Sequence, residues 1–222
     1  MLAHGGEVLW STRLLLTVFS LGMLATALWI SDDRVLPRAV KLYSLQSGFL
    51  AACFLTLGLT VRSYFLYWAA SSVVTKVVGV PLLLLWVLRK TGVFEEEKPF
   101  IGSTATWVLA ILLAFIGFIV ALKIPGKPYI PLSISFSLFG VGLLQVCSRR
   151  NSVKQVLGLC HFENGSHLTL ALLAPGIPET IEVGIATDAI LLVFFGCIVS
   201  LYMHHLMGSL DTSRLRALRE VG

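Results

Sequence analysis

Charge is what this sequence has least of. Asp, Glu, Lys and Arg make up 13% of its 222 residues, and 56% are hydrophobic. Soluble domains run at about 25% charged. The charges also fall in short stretches between long apolar runs, and no polar stretch exceeds roughly twenty residues, so a folded nucleotide-binding or redox-cofactor domain has no room. Cysteine is scarce as well. Cys53, Cys147, Cys160 and Cys197 lie far apart inside apolar runs, with no CxxC pair, which leaves an iron–sulfur or zinc site without support. His161-Phe162-Glu163 with His167 lacks the spacing of a zinc-protease helix, and its histidines point in different directions. The sequon Asn164-Gly165-Ser166 sits mid-run, out of reach of glycosylation. No convincing internal repeat is present, against the habit of stand-alone transporters.

What is present is a series of apolar runs near twenty residues, each long enough to cross a hydrocarbon core about 30 Å thick as a helix. The pattern predicts an all-α, polytopic membrane helix bundle of about seven transmembrane helices: Leu9–Ile30, Leu42–Leu59, Ser63–Leu88, Thr104–Leu122, Ile130–Cys147, Ser152–Ala174 and Ile181–His205. Breakers mark the connections at Pro37, Pro99, Pro125-Gly126-Lys127-Pro128 and Pro175-Gly176-Ile177-Pro178. The first run is too long for a signal peptide, and Ser31-Asp32-Asp33 follows it where a small-residue cleavage pattern would stand, so it reads as a mature helix. Trp10, Trp29, Trp68, Trp86 and Trp107 lie mostly near helix ends, as in an interfacial belt.

The net charge of +5 follows from topology. One side of the membrane collects Arg34, Arg38, Lys41, Arg89, Lys90, Lys98, Arg149, Arg150, Lys154, Arg214, Arg216 and Arg219, twelve cations. The other carries Arg13, Arg62, Lys123 and Lys127, four in all. This asymmetry predicts the N-terminus outside and the C-terminus in the cytoplasm, and the basic loops need no nucleic-acid partner. The tail, Met207 to Gly222, is expected to form one short helix capped by Ser209 or Asp211. Glu95-Glu96-Glu97 reads as a solvated acidic loop, His204-His205 as favouring a helix dipole.

Ionisable groups inside hydrocarbon cost about 2.5–3.5 kcal/mol each at a helix centre, and Lys76, Glu163 and Asp188 are placed there. Glu163 and His167, four residues apart, share a helix face, with Cys160 and Ser166 flanking the stripe. A carboxylate and an imidazole one turn apart suit a proton relay; they equally suit a polar pair that holds helices together. His161 faces away and reads as structural. Asp188 has Gly184 one turn earlier on its face, which lets a helix or a water approach. Lys76 precedes Pro81 by five residues; the proline removes a backbone hydrogen bond and frees the carbonyl of Val77. A bent helix beside a buried lysine fits an ion path or a structural salt bridge, with Glu163, Asp188 or another subunit supplying the carboxylate.

Three stretches carry a resemblance: Ser148-Arg149-Arg150-Asn151, then Gly158-Leu159-Cys160-His161-Phe162-Glu163-Asn164-Gly165-Ser166-His167-Leu168, then Glu182-Val183-Gly184-Ile185-Ala186-Thr187-Asp188-Ala189-Ile190. They resemble the hydrogenase-4 component E family, membrane subunits of group 4 nickel–iron hydrogenase complexes of the formate hydrogenlyase type. Gly208-Ser209-Leu210-Asp211 with Leu215-Arg216-Ala217-Leu218, and Thr75-Lys76-Val77 with Val80-Pro81-Leu82, agree. The match is specific from Arg149 to Leu218 and rests mainly on hydropathy elsewhere. The last three helices also look like the K subunit of respiratory complex I and the C subunit of multisubunit cation/proton antiporters. The first membrane glutamate of that family aligns with Cys160, one turn before Glu163; its second acid aligns with Asp188.

The resemblance implies a four-helix N-terminal part (1–128), a three-helix part similar to the K subunit (129–206) and a cytoplasmic tail (207–222). It implies a non-catalytic subunit of a prokaryotic cytoplasmic-membrane complex, surrounded by membrane lipids and seated between antiporter-like subunits and the membrane anchor of the hydrogenase arm. Nickel–iron and iron–sulfur centres would reside in partner subunits, with no cofactor in this chain. The expected proton, or sodium, path runs through Glu163 and Asp188, tuned by Lys76 and His167. A scaffold docking antiporter-like subunits, or a subunit of a cation/proton antiporter, is the alternative.

Overall fold

The computed structural model describes residues 2–97, 99–125, 129–174 and 179–219, with the side chains of 2–9, 129, 179–186 and 216–219 left aside. Lys98, Lys127, most of the turn at 125–128 and the segment 175–178 therefore lie outside the described residues, as do the side chains of Glu182, Gly184, Arg216 and Arg219. The chain is helical throughout its described length apart from connections and two isolated antiparallel bridges, Val35 to Glu95 and Asn151 to Asp211. In order it forms α1 (Leu2–Asp32), α2 (Leu36–Thr60), α3 (Phe65–Ser72), a π-helical segment (Val73–Gly79), α4 (Val80–Thr91), α5 (Ser103–Leu122), α6 (Tyr129–Ser148), α7 (Ser152–Leu173), α8 (Glu179–Met207) and a 3-10 helix (Thr212–Arg219).

Six stretches are long and apolar enough to cross a membrane: Trp10–Asp32, Leu36–Thr60, Phe65–Thr91, Ser103–Leu122, Ile130–Ser148 and Thr187–Met207. The seventh long helix, α7, is the polar one. It carries Lys154, His161, Glu163, Asn164 and His167 and buries most of its length against α6, α2 and α8. Hydrocarbon offers no partner for these side chains, so the helix that carries them takes the protected centre.

The boundaries move where local chemistry differs from hydropathy. α2 starts six residues before the apolar run, because Pro37 falls in its first turn, where a missing N–H costs nothing and φ is preset. The third span runs on to Thr91 because Gly92 closes it in the left-handed conformation, φ 70°, with its N–H on Leu88 O. Within that span, Pro81 sits in the first turn of α4 and the preceding turns widen into the π-helical segment. The carbonyl of Val77, freed by Pro81, accepts a hydrogen bond from Ser44 Oγ of α2 at 2.7 Å.

α6 and α7 approach closely through glycine. A methyl group on Gly142 would lie 2.6 Å from Gly158 O, and one on Gly158 would lie 2.8 Å from Gly142 O. Without a hydrophobic drive between helices in lipid, such backbone contact is a main source of association. Two apolar cores result. One joins Leu16, Met23, Leu50, Phe54, Trp68 and Leu168; the other joins Ile30, Tyr43, Leu84, Leu157, Cys160 and Val193.

The connections are pinned rather than loose. The acidic stretch before α5 is solvated at two of its three positions but not at the middle one: Glu96 is buried and meets Arg149 Nη1 at 3.2 Å, and its N–H donates to Arg34 O. Glu95 and Glu97 keep the expected exposure, Glu97 paired with Arg214 at 3.1 Å. Lys154 is likewise not a loop cation. It is fully buried and donates to the carbonyls of Ile30 and Asp33, the latter at 2.8 Å, where the end of α1 leaves carbonyls without helical partners. Asp211 caps the tail's helix through Ser213 N at 2.8 Å, and the tail binds the loop before α7 through Ser152 N to Leu210 O and Thr212 N to Arg150 O.

Candidate functional site

Lys76 lies in the π-helical segment, which turns its side chain into the bundle rather than along the outer face; the residue is 2% exposed. A π-helical turn inside a helix displaces side chains from the 3.6-residue stripe and recurs at functional sites. An ammonium has three donors and no acceptor, and here each finds a partner on α7. Nζ lies 3.0 Å from Glu163 Oε1, donates to Asn164 Oδ1 at 3.0 Å, and contacts His167 Nδ1. His167 Nδ1 therefore acts as acceptor, which puts the proton of a neutral ring on Nε2. His167 Nδ1 is 3.7 Å from Glu163 Oε1, as the four-residue spacing predicts.

The network continues away from Glu163. Asn164 Nδ2 reaches Gln46 Oε1 at 3.4 Å and Ser47 Oγ at 3.5 Å on α2. His161 Nδ1 donates to the same Gln46 Oε1 at 2.7 Å, and Gln46 Nε2 donates to Met23 O of α1 at 3.1 Å. Tyr43 covers His161, ring centroids 6.0 Å apart. One chain of polar contacts thus joins α1, α2, the π-helical segment and α7 at mid-length, with apolar core on both sides. Glu163 Oε2 has no protein donor among the described residues, nor does His161 Nε2.

Of the residues singled out in the sequence, the structure brings Lys76, Glu163 and His167 together. Asp188 is near enough for its charge to act on Glu163 but makes no direct contact with the cluster. It is exposed on α8, and no ion pair or hydrogen bond joins it to the other three among the described residues. Cys160 is buried beside the cluster in the second apolar core. Gln46, Ser47 and Asn164 were missed. The signal for them was present, since amides inside an apolar run must find partners, but nothing in the sequence tells which helix supplies them. His161, read as structural, is fully buried and fixed by Gln46.

The fold and the site together define a polytopic helical membrane protein with a buried lysine–carboxylate–imidazole cluster at mid-bundle. Comparison with known proteins places it more closely. The chain is 36% identical to hydrogenase-4 component E of Escherichia coli strain K12 over 204 residues, covering 89% of this chain and 94% of that protein, and it belongs to the hydrogenase-4 component E family. The same figures hold for the proteins of that name in Escherichia coli O157:H7 and Shigella flexneri. Residues 130–220 match the family described as NADH-ubiquinone/plastoquinone oxidoreductase chain 4L. The likeness to component E thus extends through the N-terminal helices, well beyond the stretch from Arg149 to Leu218 that carried it in the sequence. No solved structure matches.

Proposed function

We propose that this chain is a non-catalytic membrane subunit of a complex I-like hydrogenase of the formate hydrogenlyase type, and that it carries one segment of the proton path coupled to electron transfer. The observation that carries this reading is the contact of Lys76 with Glu163 at 3.0 Å in the middle of the bundle. A buried ion pair is a poor way to stabilise a fold, because desolvation offsets most of its attraction. Intramembrane ionisable groups are retained where ions or protons move.

The chemistry follows from the contacts. With Lys76 charged, Glu163 is held as a carboxylate with Oε2 free to accept a proton. Protonation of Glu163 weakens its hold on Lys76, which Asn164 Oδ1 still anchors. His167 Nδ1, 3.7 Å from the carboxylate, takes the proton next on the lone pair that Lys76 vacates as it turns to Asn164, and the ring then releases its other proton from Nε2. Asp188, exposed on α8 and near enough for its charge to act on Glu163, is the second acid of the path and opens it towards a neighbouring subunit. The neighbours in this reading are antiporter-like subunits and the membrane anchor of the hydrogenase arm, and the nickel–iron and iron–sulfur centres lie in partner subunits. The cytoplasmic membrane of a prokaryote is the setting, with the N-terminus outside and the C-terminus inside. Burial of Lys154 and Arg149 removes two cations from the favoured side and leaves ten against four.

The test uses the assembled complex in inverted membrane vesicles, with hydrogen turnover and proton uptake measured together. Glu163→Gln and Asp188→Asn should leave turnover and subunit stoichiometry intact and lower proton uptake by at least about tenfold, the loss of an essential acid from a relay. Unchanged uptake in both variants would sink the proposal. Loss of assembly in both, with no complex recovered, would instead support a scaffold, a reading favoured by the way the Gln46–Asn164–Lys76 network ties three elements together.

A further inference from the structure

A cleft of about 600 Å³ opens beside α1 where it meets the start of α2 and the first turns of α5. Its lining changes along its length. Ala25 and Trp29 line the end that lies inside the span, and Trp107 faces them from α5. Asp32, Arg34, Arg38 and Ser103 line the other end, where the membrane span Trp10–Asp32 finishes. From Ala25 to Asp32 is seven residues, about 10 Å along a helix. The cleft therefore runs from the hydrocarbon to the polar edge, with two half-exposed indoles at the boundary, 57% and 38% exposed for Trp29 and Trp107.

The charges at the polar end are not equivalent. Arg38 is committed to Asp33, through Nε to Oδ2 and through Nη2 to Oδ1 at 2.7 Å. Arg34 is exposed, and no carboxylate faces it among the described residues. Asp32 has neutral donors, Ser103 Oγ at 2.6 Å and Trp107 Nε1 at 3.2 Å, while its nearest cation among the described residues, Arg149 Nη2, is 4.0 Å away. Among the described residues the cleft thus offers one guanidinium without a carboxylate partner and one carboxylate whose charge is only weakly matched, both in its lining. A guanidinium takes a phosphate through paired N–H donors. A carboxylate beside two indoles takes a primary ammonium, which also gains from the ring faces.

We propose that this cleft binds one phospholipid whose headgroup joins a phosphate to a primary ammonium, a phosphatidylethanolamine. The phosphate meets Arg34, the ammonium meets Asp32, and an acyl chain lies along Trp29 and Ala25. A phosphatidylglycerol would satisfy Arg34 through its single phosphate charge but bring only a neutral glycerol to Asp32, leaving the carboxylate without a cation. A choline headgroup cannot donate hydrogen bonds to the carboxylate. The site is separate from the Lys76–Glu163 cluster and stands whether or not this chain conducts protons.

The test is native mass spectrometry of the full chain, with any subunits that co-purify, after delipidation and titration with phosphatidylethanolamine, phosphatidylglycerol or phosphatidylcholine of the same acyl chains. One phosphatidylethanolamine should be retained with about tenfold preference over the other two, the scale set by one charge-assisted contact. Arg34→Gln, an exposed side chain whose loss leaves the fold alone, should weaken that retention by about fivefold. Asp32→Asn should abolish the preference over phosphatidylglycerol without reducing total binding. Equal retention of all three lipids, preference for phosphatidylglycerol, or no effect of Arg34→Gln would each overturn the proposal. The last of these is also the outcome expected if a partner subunit fills the cleft.

Discussion

Two buried ionic clusters lie on the same helix, one around Lys154 and one around Glu163, nine residues or about 13.5 Å apart, and they are built on different logic. The cluster at the start of α7 serves the backbone. Lys154 donates to the carbonyls of Ile30 and Asp33, Gln145 Nε2 donates to Lys154 O at 2.7 Å, and Arg149 meets Glu96 in the connection to α5. The contacts of Lys154 Nζ and of Arg149 pin a helix end and a connection whose polar groups would otherwise be left without partners, and Gln145 ties the end of α6 to the first turn of α7. The cluster at mid-helix has no such task. Its helices already satisfy their own backbones, and its side chains bond mainly to one another. A polar network that the backbone does not require is where function is to be sought.

Four experiments break or sharpen that contrast. The largest effect is expected at the helix-end cluster. Arg149→Met leaves Glu96 buried without its cation and should cost about 3–5 kcal/mol of stability, read as a large fall in the thermal unfolding midpoint in detergent. A drop no larger than that of a surface arginine would mean that the connection is held by its backbone bonds alone.

At mid-bundle, Lys76→Met should cost less in the company of Glu163→Gln than alone, since the double substitution removes both charges. The coupling between the two is expected at about 1–3 kcal/mol from a double-mutant cycle. Additive losses would show that the two groups do not act as a pair.

A smaller effect is expected at the entrance of α7. Asn151 accepts from the N–H groups of Val153 and Lys154, at 3.0 and 3.3 Å, so Asn151→Ala should cost about 1 kcal/mol. Asn151→Asp should restore most of it, because a carboxylate also accepts at a helix N-terminus. Equal stability of all three proteins would assign the helix start to tail packing instead.

The smallest effect is in pH dependence. Burial by itself raises the Asp33 carboxyl, but the Arg38 guanidinium and the Val35 N–H, at 2.9 Å, outweigh it and hold the group below its ordinary value of 3.8. A depressed carboxyl stabilises the fold above its unfolded pKa, and that contribution fades as pH falls below about 3.8 towards the folded value. Asp33→Asn should therefore narrow its stability difference from the parent as pH is lowered through that window. Arg38 is 57% exposed in its side chain, so the effect stays small. A difference that is constant from pH 6 to 3 — about three units spanning the ordinary carboxylate range — would contradict the pairing.

Most of the architecture was legible along the chain. Apolar runs near twenty residues have one solution in a bilayer, so their number and order follow from hydropathy. The ends were less legible. Pro37 in a first turn and Thr91-Gly92 at a helix end are local signals that hydropathy averages away. Glu96 and Lys154 read as solvated because charges between apolar runs usually are; Arg149 and the open carbonyls at the end of α1 buried them instead. Within the site, Glu163 and His167 were paired by helical spacing, a contact set by four residues of one helix.

The sequence by itself determined that this is a helical membrane protein with acids and a lysine placed where hydrocarbon would otherwise lie, because composition and period decide burial in lipid. Only the tertiary structure decided which of those charges meet. The π-helical turn rotates Lys76 onto α7 and gives it Glu163, Asn164 and His167, while Asp188 remains exposed on α8. Contacts between residues 88 and 91 positions apart depend on how separate helices pack and turn, and a change of one residue per turn in one of them is enough to move a side chain from lipid to core.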